Sequence, residues 1–177
     1  MSFFARFFMI LLVIVSVIET ATLAGWLALT TVNAILAIVV LFVGLTAEHI
    51  VTYVRVNRGQ PLPIGRILIV AAVETVSWAG WLALFRLGGG YVALSIVYLF
   101  VTLFVGHALE QNTTRNCSNL FMGLLRQEAV DITTIETNIG FVWLILTGVN
   151  PFLAAGVLFV GLHVEHVIAA GKRPVCY

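Results

Sequence analysis

Six apolar stretches, each about 20 residues long, take up most of this chain: Phe7 to Thr30, Ala34 to Val56, Ile64 to Phe85, Tyr91 to Asn112, Ile132 to Thr147 and Phe152 to Ala170. At a rise of about 1.5 Å per residue, a helix of that length crosses the roughly 30 Å hydrocarbon core of a bilayer. With 61% hydrophobic residues, 10% charged residues and a mean hydropathy of +1.09, no water-soluble fold is open to the chain. Almost nothing is left over for a soluble domain, a phosphate loop or a nucleic-acid surface. The expected class is therefore an all-α membrane protein in contact with lipid, acting within or beside the bilayer.

The first stretch follows Arg6 and has the look of a signal peptide, but its later residues match two other segments, so it reads as one member of a repeated unit. Arg6, Arg55, Arg58, Arg66, Arg115, Arg126, Lys172 and Arg173 flank the spans on the side of both termini, and the opposite side carries only Arg86. The positive-inside rule then puts both termini in the cytoplasm of a bacterial- or archaeal-type plasma membrane. Short connections at Thr31 to Asn33, Leu87 to Gly90 and Gly148 to Pro151, rich in Gly, Asn or Pro, suit tight helix–helix turns. Cys117 and Cys176 are too few for a disulfide framework.

Set in register, the spans are three copies of one helical hairpin, at about residues 7–58, 64–112 and 131–173. The second helix of each copy carries Leu-Phe-Val-Gly-x-x-x-Glu, at Leu41 to Glu48, Leu103 to Glu110 and Leu158 to Glu165. The first helix carries Glu-Thr followed by Trp, as Glu19, Thr20 and Trp26, as Glu74, Thr75 and Trp81, and as Glu136, Thr137 and Trp143. Each copy has an even number of spans, so the copies point the same way and imply a pseudo-threefold axis along the membrane normal. Counting from the turns sets all six glutamates at overlapping depths, as a crown between the midplane and the cytoplasmic interface. Between the second and third hairpins, residues 116–129 read as an amphipathic connector lying on the membrane surface.

Six of the eight acidic residues are these repeated glutamates, and every Lys and Arg falls at a helix end. An ionisable group at membrane depth costs several kcal/mol or so unless it faces a polar interior and finds a partner. The carboxyls are therefore protonated, or a cation sits among them. All four histidines fall in the second helices near the repeated Glu: His49 and His166 directly follow Glu48 and Glu165, His107 precedes Glu110 by three, and His163 precedes His166 by three. Carboxylates and imidazoles converging from several helices make a site for a divalent transition metal such as Fe, Mn or Zn. The candidate ligands are Glu19, Glu48, His49, Glu74, His107, Glu110, Glu136, His163, Glu165 and His166. Carboxylate-bridged di-metal bundles use Glu-x-x-His, which is absent here, so that comparison extends only to the types of ligand.

The carboxylates keep the repeat symmetry and the imidazoles do not, since His49, Gln111 and His166 share one repeat position while His107 aligns with Leu45 and Leu162. Gly44, Gly106 and Gly161, one turn before each second-helix Glu, are expected to let helices approach closely. The repeated tryptophans are expected to pack inside the spans, with an indole bond to a carboxylate as a further option, and Thr20, Thr75 and Thr137 to hydrogen-bond backbone or carboxylate. Three functions fit this inventory: an intramembrane metal centre that translocates a cation or proton, a membrane oxidoreductase with a di-iron-like centre acting on a lipid or quinone-like substrate, and a haem- or chlorophyll-ligating or structural subunit of a larger complex or homo-oligomer.

Overall fold

A computed structural model describes residues 3–115 and 127–171 of the chain. Six helices are found there: α1 (Phe3–Leu29), α2 (Ala34–Val56), α3 (Ile64–Leu87), α4 (Tyr91–Thr114), α5 (Gln127–Thr147) and α6 (Pro151–Gly171). Each contains a stretch of 20 to 24 residues long and apolar enough to cross a membrane. No strand occurs among the described residues. Helices suit lipid because every backbone N–H and C=O inside the segment bonds within the segment itself.

Helix ends follow local chemistry. Asn33 caps α2, its side-chain oxygen accepting from Leu36 N at 3.0 Å, and Asn150 does the same for α6 through Phe152 N and Leu153 N at 3.0 and 3.1 Å. Between α3 and α4 the chain turns through Gly88 and Gly89 with φ of 71° and 54°, a region where a Cβ is strained. Helix α5 begins five residues before Ile132, where the sequence pattern starts its span. Glu128 lies in the first turn, where it suits the helix dipole, and accepts from Arg115 at 2.6 Å, while Gln127 donates to Asp131 one turn on at 3.1 Å. The last three residues of the expected connector are thus helical, and its remainder, 116–126, lies outside the described residues.

Consecutive helices pair as α1 with α2, α3 with α4 and α5 with α6. Further packing of α2 on α3, α4 on α5 and α6 on α1 closes the six into a ring. Each helix turns one stripe inward, as α2 does with Ala37, Leu41, Leu45, Glu48, His49 and Thr52, at the spacing of a helical face. The outer face is a belt of valines, Val39, Val43, Val76, Val97, Val101, Val160 and Val164 being 47–60% exposed. Such a surface belongs against lipid, and it means that the polar interior is not solvated from the side.

The glycines before the second-helix glutamates stand at helix contacts. A Cβ on Gly44 would overlap Thr22, one on Gly161 would overlap Ile139, and one on Gly106 would lie 3.0 Å from Glu74 Cγ. Close approach is what the small residue allows.

The turns at 30–33, 88–90 and 148–150 mark one end of the bundle, here the distal end, and the connection at 57–63 marks the proximal end. Towards the distal end the interior is filled by Trp26, Trp78, Trp81 and Trp143, none more than 2% exposed. Trp78 is the hub, with ring centroids 6.4 Å from Trp26, 5.4 Å from Trp81 and 6.5 Å from Trp143, all edge-to-face. The indole nitrogens of Trp78 and Trp81 are buried without a hydrogen-bond partner, so at Trp81 the option of an indole–carboxylate bond is not realised.

Candidate metal centre

One polar cavity lies on the proximal side of the tryptophans. It is lined by all six repeated glutamates, Glu19, Glu48, Glu74, Glu110, Glu136 and Glu165, together with His49, His107 and His166. Space for the centres of water-sized particles inside it is about 30 Å³, on the order of one or two small occupants. The repeat explains the convergence: a Glu on the inward stripe of every helix, at matched depth in a closed ring, must meet the others near the axis.

Three histidines make separate links. His49 Nδ1 lies 2.7 Å from Glu48 Oε2 and its Nε2 lies 2.9 Å from Glu74 Oε2, with Glu110 Oε1 4.0 Å from Nδ1. The Nε2 contact is a hydrogen bond. The Nδ1 approach to Glu48 is off the ring N–H direction, and Nδ1 has no hydrogen-bond partner despite the short distance. His107 Nε2 lies 2.7 Å from Glu136 Oε2, also off the hydrogen-bond line as judged by the unsatisfied Oε2, while Nδ1 bonds Thr133 Oγ1 at 2.9 Å. His166 Nδ1 donates to Leu162 O at 2.7 Å, and Nε2 faces Glu19 Oε2 at 3.5 Å and Glu48 Oε1 at 3.6 Å.

Among the described residues, three sets of side chains bring ligand atoms within 4.8 Å of one another: Glu19, Glu165 and His166; Glu48, His49 and Glu110; and Glu74, His107 and Glu110. Glu136 lines the cavity and reaches His107 but falls in none of the three. His163 is placed apart. Its Nδ1 meets Ser16 Oγ at 3.1 Å and its ring stacks on Phe159 at 5.9 Å, away from the cavity lining. Three residues advance a helix by about 300°, and that offset of about 60° from His166 is enough to turn His163 towards α1.

Four further residues shape the site and had not been singled out. Thr52 donates to Glu48 Oε1 at 2.7 Å, and Thr133 holds His107. Thr75, by contrast, bonds back to Ala71 O at 2.7 Å, and the hydroxyls of Thr20 and Thr137 are buried without a partner. Arg55 stands at a helix end, as every basic residue was expected to, yet its side chain is only 7% exposed and reaches the cavity wall. Its guanidinium lies 5.5 Å over the Phe8 ring, and Nε and Nη1 have no acceptor. Trp78 closes the distal side. All four lie three, four or seven residues from a repeated Glu: Thr52 and Arg55 after Glu48, Trp78 after Glu74, and Thr133 before Glu136. That spacing on one helical face was the signal available for finding them.

A second cavity of about 290 Å³ continues from the first towards the proximal end. Thr52, Arg55, Glu110 and Ala169 line both. Phe8, Ile132 and the Arg115–Glu128 ion pair complete this vestibule. The carboxylate cup is thus stoppered by indoles at one end and adjoins a larger cavity at the other.

No family model, curated protein or solved structure matches the chain.

Proposed function

We propose that this is a multi-pass membrane protein, three hairpins about a pseudo-threefold axis, whose core retains divalent transition metal, iron, manganese or zinc, among its glutamates and histidines. The observation that carries the reading is the charge balance of the cup. Five buried carboxylates, the partly exposed Glu110 and three imidazoles share it with a single guanidinium, in an interior where unpaired charges cost several kcal/mol or so each. A divalent cation supplies the missing positive charge in the form that Glu and His ligate best. In a cytoplasm-facing orientation of the proximal end, the metal would be loaded from the cytoplasm through the vestibule.

The tryptophan stopper favours a fixed centre over a through-path. A metal held in such a cup supplies Lewis-acid or one-electron chemistry, and the vestibule has room for a small oxygen-bearing substrate such as a quinone-like headgroup. Translocation is the second reading, favoured by the closed ring of co-oriented hairpins around an axial polar cup.

Elemental analysis of detergent-purified protein tests the centre. Stoichiometric metal in the native chain, lost when the six glutamates become glutamine, is the expected result. A metal-free native chain, loaded with neither iron, manganese nor zinc on reconstitution, overturns the reading. Metal-dependent flux across liposomes would decide for translocation.

A further inference from the structure

We infer that the centre holds two ions, bridged by the carboxylate of Glu48. This rests on the metal-centre reading above and adds its nuclearity, its bridging ligand and the inequivalence of its two halves.

Hydrogen bonds to fixed partners orient two of the imidazoles. Leu162 O can only accept, so His166 Nδ1 carries the proton it donates there, and Nε2 is the nitrogen that offers a lone pair once the ring is neutral, as it is when it ligates a metal. That lone pair faces Glu19 Oε2 and Glu48 Oε1 at 3.5 and 3.6 Å, beyond hydrogen-bond range. His49 has the same polarity with its nitrogens exchanged. Nε2 donates to Glu74 Oε2 at 2.9 Å, which leaves the Nδ1 lone pair against Glu48 Oε2 at 2.7 Å and Glu110 Oε1 at 4.0 Å. With both rings neutral, acceptors converge on acceptors in the two places, Thr52 being the one hydroxyl that donates there, to Glu48 Oε1, and Glu19 Oε2 and His49 Nδ1 are buried without a partner. A carbonyl or carboxylate holding the far nitrogen of a histidine is also how metal-bound histidines are ordinarily oriented.

Glu48 joins the two places. Its Oε2 belongs to the His49 side and its Oε1 to the His166 side, and Thr52 fixes the carboxylate by donating to Oε1. One site then takes His166, Glu19 and Glu48, with Glu165 grouped beside them though its Oε2 lies 3.5 Å from the Nδ1 side of His166, and the other takes His49, Glu110 and Glu48. The third set, Glu74, His107 and Glu110, is left out because Glu74 is taken up by His49 and Thr133 bonds His107 Nδ1, while His107 Nε2 has only the off-line approach of Glu136 at 2.7 Å. The halves differ in access, because Glu110, with a side chain 22% exposed, lines both cup and vestibule. The ion beside His49 is therefore the one with a ligand position towards incoming molecules.

The test is reconstitution of the metal-stripped full-length protein in detergent with Mn(II) alone, followed by metal-to-protein ratio and electron paramagnetic resonance. Two manganese per chain with an exchange-coupled signal is expected. Glu48→Gln should fall to one manganese or fewer with an uncoupled signal, and His166→Gln should retain one. Because Glu48→Gln could disturb folding, the native chain decides by itself: one manganese per chain, or two without coupling, overturns the bridged pair and leaves the metal centre standing. No binding of manganese, iron or zinc removes the metal centre itself.

Discussion

Trp78 stands where Gly140 makes room for it: a Cβ on Gly140 would lie 2.8 Å from the Trp78 ring. The two occupy the same repeat position as Leu23, four residues after Glu74, Glu136 and Glu19. Three large side chains could not share that level of the axis, and the bundle solves the conflict with one indole, one leucine and one glycine. The polar cup ends there.

Removing the stopper should therefore open the cup distally. Trp78→Ala deletes a side chain with no exposed surface and should destabilise the bundle by about 3–5 kcal/mol. In liposomes it should also raise divalent-cation leak well above that of the native protein, and Trp78→Phe should do so much less. An unchanged leak in a folded Trp78→Ala variant would show that the distal seal lies elsewhere.

Crowding at the repeated glycines is expected to be costly in proportion to what the new methyl meets. Gly106→Ala presses on Glu74, the residue that orients His49, and should lose about 1–3 kcal/mol in thermal unfolding together with metal affinity. Gly25 has nothing within 4 Å of a built Cβ, so Gly25→Ala should be neutral or stabilising by up to about 1 kcal/mol.

Threonines behind the ligands should act through geometry. Thr133→Val leaves His107 Nδ1 buried without its partner, a loss of about 1–3 kcal/mol. Thr52→Val frees the Glu48 carboxylate and should weaken metal binding roughly 10- to 100-fold, as loss of an outer-shell partner does. Competition against a chelator of known affinity measures the second effect. Thr134→Val, at an exposed hydroxyl bonded only to its own helix, is the control and should move neither quantity appreciably.

Arg55 places a positive charge on the wall shared by vestibule and cup. A cation entering by that route meets it, so Arg55→Met should speed metal uptake at low salt, with the advantage shrinking as salt screens the guanidinium. No hydrogen bond at Nε or Nη1 is lost and the contact with Phe8 contributes about 0.5–1 kcal/mol, so any larger loss of stability in the metal-free chain measures the attraction between the guanidinium and the cup carboxylates. Stopped-flow loading at two ionic strengths would reveal slower or equal uptake if Arg55 instead draws the metal in.

Hydropathy and repeat alone determined a great deal here. Span number follows from the energy of placing peptide groups in lipid, and the recurring Glu, Gly and Trp positions mark inward stripes because a repeated unit repeats its buried face. That the glutamates would meet was legible for the same reason. What each histidine does was not, because a ring nitrogen takes its role from the partner of the other nitrogen. Those partners, Glu74, Thr133 and Leu162 O, stand 25, 26 and 4 residues away. Arg55 was equally hidden: helix position sets where a Cα lies, whereas a long side chain can fold back along the wall. Only the packed bundle decided that His163 turns to Ser16, that Trp78 fills the axis and that Glu48 stands between two imidazoles, since a tilt of one helix against its neighbour sets distances of a few ångströms that no spacing along the chain encodes.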